Sequence, residues 1–240
     1  MKLSDGILRT IFPKRCVGCN RVIPFKSELC PDCLKKLPNL EIDSEGSCRR
    51  CGAPKKLCTC KGHSTEFEGT VAPFIYGGII KNAIKDIKTL KNAQPVDFLA
   101  SHMAEAVKEA GFPAADFVTC VPMSKKEFRA RGYNPAELLA KATADRLDIP
   151  FEKNAISKIY DTIPQRALPS SLRKGNIFGV YEADEDLTFA KTVLLVDDVM
   201  TTGNTVNECA KMLRLSGAYQ VFCVVAAKTV IEKTEDKKDD

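Results

Sequence analysis

The chain has no tryptophan, five tyrosines and two histidines in 240 residues. So few indole and phenol rings leave little for base stacking, so any nucleic-acid contact would lean on phosphate charge and be weakened by salt. Neither histidine is placed for catalysis: His63 lies in a polar stretch and His102 on an amphipathic one. No apolar run reaches the ~18–20 residues that span a bilayer. The first sixteen residues lack a signal-peptide core and cleavage site, so a cytoplasmic chain is expected. What remains is 44% hydrophobic and 28% charged, the balance of a soluble globular protein. The length suits one medium domain plus a small one.

The formal charge of +5 is uneven. Residues 1–66 hold 13 Lys/Arg against 7 Asp/Glu, or +6, and the remainder carries −1. Basic character therefore belongs to the N-terminal segment and points to an anionic partner or a solvated surface there.

Cysteine is the residue in excess. Eight of eleven fall within residues 16–60, as Cys16-x2-Cys19, Cys30-x2-Cys33, Cys48-x2-Cys51 and Cys58-x-Cys60. Tetrahedral zinc takes two thiolates from one tight turn and two from another, and paired spacing supplies them. A disulfide framework is the alternative, which a cytoplasmic setting disfavours. The simplest partition puts Cys16, Cys19, Cys30 and Cys33 on one ion and Cys48, Cys51, Cys58 and Cys60 on a second. A cross-braced partition would use the same sulfurs. Four thiolates leave no open position, so the metal is structural and supplies folding free energy to a segment too small for a large core. Cys120, Cys209 and Cys223 stand in apolar runs and read as packed small hydrophobes.

Residues 193–206, VLLVDDVMTTGNTV, join an apolar β-branched run to two acids and a hydroxyl-rich turn. Residues 193–196 read as a buried strand and 204–216 as a helix. Between them, Thr201, Thr202, Gly203, Asn204 and Thr205 form a nest of N–H groups at a helix N-terminus, which favours a phosphate. Gly203 permits the positive φ such a turn needs. Asp197 and Asp198 would repel phosphate but accept from vicinal ribose hydroxyls. Together these residues describe a ribose-5-phosphate site.

Elsewhere, residues 71–76 read as a strand. From Ile79 a helix buries Ile80, Ala83, Ile84 and Ile87 and shows Lys81, Lys85, Lys88 and Lys91 on its other side. That stripe is a solvated face or a contact for pyrophosphate or nucleic acid. Residues 95–110 form a second amphipathic helix, and 117–121 a strand. Asn134 caps a helix with Pro135 at its first position and Glu137 in the capping-box place. A last strand spans 221–227. The alternation implies an α/β domain with a mostly parallel sheet flanked by helices. The division expected is a double zinc-binding module at 1–66, the α/β domain at 67–230, and a disordered charged tail at 231–240.

Two further segments point at the carboxyl ends of the strands, where ligands of open parallel sheets bind. The stretch 121–140 places Lys125, Lys126, Arg129 and Arg131 in a loop between strand and capped helix, suited to pyrophosphate. Residues 158–181 show little periodicity and read as a long functional loop whose polar candidates are Thr162, Gln165, Arg173 and Asn176.

Residues 193–206 resemble the 5-phosphoribosyl-1-pyrophosphate (PRPP) loop of type I phosphoribosyltransferases, with strand, acid pair, V-x-T-T-G and following Thr in register. The V-P-x-S start at 121–124 is similar to the pyrophosphate loop of amidophosphoribosyltransferases. With the four-Cys N-terminus, R-x-R-G-Y-N and T-x-x-Q…R-x-x-N, the chain resembles the ComF/GntX family over about residues 14–228. Pro135 stands where that pattern usually has Gln. The resemblance implies a type I phosphoribosyltransferase-like fold behind a zinc finger. It also implies PRPP or ribose-5-phosphate bound with Mg²⁺. Asp197 and Asp198 would hold the ribose and help orient the metal. Val199, Thr201, Thr202, Gly203, Asn204 and Thr205 would contact the sugar phosphate, and Ser124, Lys125, Arg129 and Arg131 the pyrophosphate. It further implies natural competence, single-stranded DNA and a protein partner in the competence machinery. An active phosphoribosyltransferase of nucleotide salvage or synthesis, with an unknown acceptor, is the other possibility.

Overall fold

The computed structural model describes residues 13–38, 48–58, 60, 64–89, 94–159 and 180–230. Lys91, His63, Thr162, Gln165, Arg173, Asn176 and the tail 231–240 lie outside the described residues. In the cysteine-rich segment the helical elements described are α1 (Pro31–Leu34), one turn long, and a 3-10 turn at Lys55–Leu57. Then follow β1 (Gly69–Val71), β2 (Phe74–Ile75), α2 (Gly78–Thr89), α3 (Gln94–Glu109), β3 (Phe117–Cys120), α4 (Lys125–Arg131) and α5 (Pro135–Leu147). The chain continues through β4 (Ile156–Lys158), β5 (Tyr181–Ala183), α6 (Glu185–Thr188), β6 (Thr192–Met200), α7 (Asn204–Leu215) and β7 (Gln220–Lys228).

The main sheet runs β1-β7-β6-β3, with β2 also on β7, and every pairing in it is parallel. Residues 193–196 are buried throughout because helices cover both faces, as a parallel sheet requires. Alternation sends Leu194, Val196 and Val224 into one layer with Ile80, Ile84, Leu99 and Leu139 from α2, α3 and α5. It sends Val193, Leu195 and Val225 into the other, against Val206, Cys209 and Leu213 of α7. The strand expected over 71–76 is divided in two at Ala72-Pro73, where proline offers no N–H to the ladder. Both halves still lie along β7.

Three local readings need correction. The basic stretch after β3 is not a loop but a helical segment, α4, closed by a true capping box: Ser124 Oγ accepts from Glu127 N at 3.1 Å, and the Glu127 carboxylate reaches back to Ser124 N. Glu137 closes no such box. Asn134 alone caps α5, accepting from Ala136 N at 3.1 Å, and Glu137 pairs with Lys153 at 2.9 Å. The long segment 158–181 begins and ends in an antiparallel pair, β4 with β5, joining Lys158 to Tyr181. Strands of three residues carry too few positions to show a period of two.

Candidate functional site

Each cysteine group closes on itself. The sulfurs of Cys16, Cys19, Cys30 and Cys33 lie within 4.8 Å of one another, and so do those of Cys48, Cys51, Cys58 and Cys60. The simple partition is therefore the one the fold adopts. Cys19 and Cys30 sulfurs are 3.7 Å apart and those of Cys51 and Cys58 3.8 Å. A tetrahedron of Zn–S bonds near 2.3 Å has edges of about 3.8 Å, so both clusters have the size that structural zinc demands.

Local turns make the clusters. The Cys48 carbonyl accepts from Gly52 N at 2.8 Å, and Gly52 holds φ +70°, a left-handed conformation that favours glycine. Burial pushes the Cys16 thiol up, but N–H groups of Cys30, Cys19 and Gly18 directed at its sulfur outweigh this and bring it down to about 7. Burial also drives Cys33 and Cys51 upward, and Cys60 up to about 11. Four thiolates this close need a cation to coexist, and a divalent metal supplies it.

The two clusters attach differently to the rest. Gly18 leaves no room for a side chain, since a Cβ there would stand 3.0 Å from Cys33 Sγ and from Ile79 at the start of α2. The second cluster covers the free edge of β1: the Arg49 carbonyl accepts from Thr70 N at 2.7 Å. Beyond it, Glu66 N donates to Asn207 Oδ1 of α7 at 2.9 Å.

At the carboxyl end of β6 the strand continues through both acids to Met200, so ladder bonds to β7 fix their backbone. Alternation parts the side chains. Asp198 turns toward α2 and pairs with Lys88 at 2.8 Å. Asp197 turns the other way and accepts from Asp198 N at 2.8 Å. The residue keeps partial contact with solvent, yet its carboxyl sits deep among protein atoms. Burial, helped by the neighbouring Asp198, pushes Asp197 up to about 7 against the opposing pull of the Asp198 N–H and Lys88.

Beyond the acids, Thr201, Thr202 and Gly203 bend into α7. Gly203 caps the helix at φ +85°. A Cβ there would meet only Met200 at 3.5 Å, so the requirement is conformational rather than one of space. Thr201, Thr202, Asn204 and Thr205 are exposed around it. Lys228, a buried cation at the end of β7, donates to the Thr201 carbonyl and anchors the turn from beneath. Sequence reasoning missed it. Its one signal is a lone lysine ending an otherwise apolar run.

The segment 121–124 lies beside these acids, since Val121 N donates to the Val196 carbonyl at 2.9 Å. Ser124 is thereby brought to the same end of the sheet. Lys125 and Arg129 line a cavity of about 460 Å³ whose walls include none of residues 197–205, while Arg131 is half-buried at the end of α4. The lysine stripe of α2 divides: Lys81 and Lys85 are exposed, and Lys88 is taken by Asp198. His102 packs on the rings of Phe74 and Phe98, and its Nδ1 donates to the Phe98 carbonyl at 2.9 Å, a structural role. Cys120, Cys209 and Cys223 are buried thiols, Cys120 pushed by burial up to about 12.

The parallel sheet with its helices is of the phosphoribosyltransferase type, and two sulfur clusters able to hold structural metal stand beside it. Comparison with known families agrees: the double zinc ribbon domain matches residues 7–67 and the phosphoribosyl transferase domain residues 135–240. The chain is similar to the DNA utilization protein YhgH of Salmonella typhi, at 26% identity over 216 residues, covering 87% of this chain and 88% of that one. It is 28% identical over 232 residues to Competence protein F of Haemophilus influenzae, covering 89% and 96%. Competence protein ComFC of Streptococcus pneumoniae is 26% identical over 199 residues, covering 80% and 84%. Among the described residues no helix is long and apolar enough to cross a membrane.

Proposed function

We propose that this chain binds PRPP, or ribose 5-phosphate, with Mg²⁺ at the carboxyl end of β6, and handles single-stranded DNA during DNA uptake. The observation that carries the reading is the acid pair held on a rigid strand directly before a turn whose Gly203 opens α7. In it, residues 1–66 are the metal module and 67–230 the sugar-phosphate domain. The turn 201–205 offers exposed hydroxyls and helix-end amides to a 5-phosphate. Asp197 and Asp198 offer carboxylate oxygens, the donors that Mg²⁺ takes, and acceptors for ribose hydroxyls. Bound there, the ion would neutralise pyrophosphate charge. Lys88 already holds a positive charge against Asp198, as that place requires. In this reading Ser124 and the cations of α4 would meet the pyrophosphate. The names of the relatives, competence and DNA utilization proteins, support the DNA part of the reading; a cytoplasmic setting and a partner in the competence machinery are part of the proposal.

Calorimetric titration of PRPP with Mg²⁺ into the full chain tests it. Asp197→Asn/Asp198→Asn is expected to weaken binding at least about tenfold, the loss of one or two charge-assisted contacts, while single-stranded DNA binding stays. Equal binding by the variant, or none by the wild type, would overturn the sugar-phosphate assignment. Pyrophosphate release on adding a nucleobase would instead make the chain an active phosphoribosyltransferase of nucleotide salvage or synthesis.

A further inference from the structure

The cavity beside α4 has a character that a pyrophosphate contact does not use up. It opens between α4, the start of α5 and the segment 153–158. Lys125, Arg129, Lys153 and Lys158 line it against one acid, Glu137, which is already bound to Lys153 at 2.9 Å. Glu127 on the same helix is turned back to Ser124, accepting from its hydroxyl at 2.7 Å. Among the described residues the charge left over is cationic.

An aromatic ring stands in the midst of it. Phe128 lines the cavity, is 42% exposed, and has Lys153 Nζ 5.9 Å from its ring centroid. A ring flanked by ammonium and guanidinium groups can stack an unpaired base while its neighbours hold the adjoining phosphates. The lysine stripe of α2 has neither advantage: it carries no aromatic, Asp86 interrupts it, and Lys88 is committed to Asp198.

We infer that a single nucleic-acid strand lies across this cavity, one base against Phe128 and its phosphates on Lys125, Arg129 and Lys158. The inference rests on the DNA-handling part of the reading above; it shares Lys125 and Arg129 with the proposed pyrophosphate side, so Phe128 and Lys158, which that site does not use, carry the test. A duplex is disfavoured because its bases are not free to stack on a side chain. An enclosed small anion is disfavoured because Lys125, Arg129 and Lys153 lie on the open rim. The volume, about 460 Å³, falls in the range of a nucleoside-sized ligand.

The test is fluorescence anisotropy of a labelled oligothymidylate titrated with the full chain at several salt concentrations. Phe128→Ala is expected to weaken binding about fivefold or more, the loss of one stacked base, and Phe128→Trp to restore it. Lys158→Ala is expected to weaken binding and flatten the salt slope by about 0.7, one phosphate contact with a single strand. Lys81→Ala/Lys85→Ala should leave affinity within about twofold, as rim charges away from the strand do. PRPP binding by Phe128→Ala should match wild type, which shows the fold intact. Wild-type affinity in Phe128→Ala and Lys158→Ala, or a loss confined to Lys81→Ala/Lys85→Ala, would overturn the inference and leave DNA handling standing. A wild type that does not bind the oligomer at the lowest salt would end both.

Discussion

In residues 13–60, sulfur clusters occupy the place where a core would be, and the other buried apolar side chains described there, Val17, Ile23, Ala53 and Pro54, are few and mostly small. In residues 117–228, two apolar layers enclose a parallel sheet whose middle strands are buried along most of their length. One half is held by metal coordination and the other by burial. The first should fail to a chelator that leaves the second standing, and the second should carry the pH response of its own buried acid. The seam between them is where this contrast is weakest, because the Arg49 carbonyl of the second cluster completes the edge of β1.

The largest effect expected is from metal removal. Structural zinc in isolated finger peptides contributes about 10 kcal/mol or more, and the few buried apolar side chains described in residues 13–60 do not replace that. Hydrogen exchange on the full chain with a chelator should show amides of 13–60 losing protection while those of β6 and β7 keep theirs. Thr70 N, which donates to the second cluster, should follow the ribbons rather than the sheet. Uniform loss across β6 and β7 would break the contrast, showing the sheet to depend on the ribbons.

The two halves were also legible in different ways. Cysteine spacing announced the ligands because a CxxC turn is a local structure, and each tetrad came from pairs close in sequence. The buried runs 193–196 and 221–227 and the turn at Gly203 were legible for the same local reason. What escaped was of two kinds. The Ser124-x-x-Glu127 cap was present in the sequence but lay inside a run of basic residues read as a loop. Lys88 with Asp198, and Lys228 beneath Thr201, are contacts across 110 and 27 residues; no local pattern encodes them. The residues of chemistry were visible one at a time. Their partners depended on which helix the sheet brought beside them.

A middling effect is expected from pH, and it belongs to the sheet. An ordinary Asp loses its proton near 3.8, whereas burial raises Asp197 to about 7. Between these values the folded state holds a proton that the unfolded chain has released. Stability contributed by this group is therefore greatest below about pH 4 and falls as pH rises through 7. Asp197→Asn removes the penalty. Urea unfolding at pH 6 and pH 8.5 should show the variant gaining on wild type by roughly 1–2 kcal/mol at the higher pH. Proton competition at the cysteines acts on both proteins and cancels in the comparison. A pH-independent difference would mean that the carboxyl is not buried as a charge.

The smallest effect, and the sharpest, concerns Lys88. Its side chain is about a third exposed, and a pair of that kind contributes only about 0–1 kcal/mol. Lys88→Ala should therefore barely change unfolding in urea at pH 6. Its influence should emerge in titration instead. Lys88 lowers the Asp197 pKa and pairs with Asp198 directly. Without it, two carboxyl groups on successive residues lose their nearest cation, and Asp197 should hold its proton to higher pH than in wild type. Carboxyl carbon shifts followed by NMR across pH 5–9 would read the midpoint. An upward move with unchanged stability at pH 6 would show the acid pair tuned by a helix that the sheet places beside it. A midpoint that stays fixed would mean that burial alone sets Asp197 and that Lys88 is a surface charge resting against its neighbour.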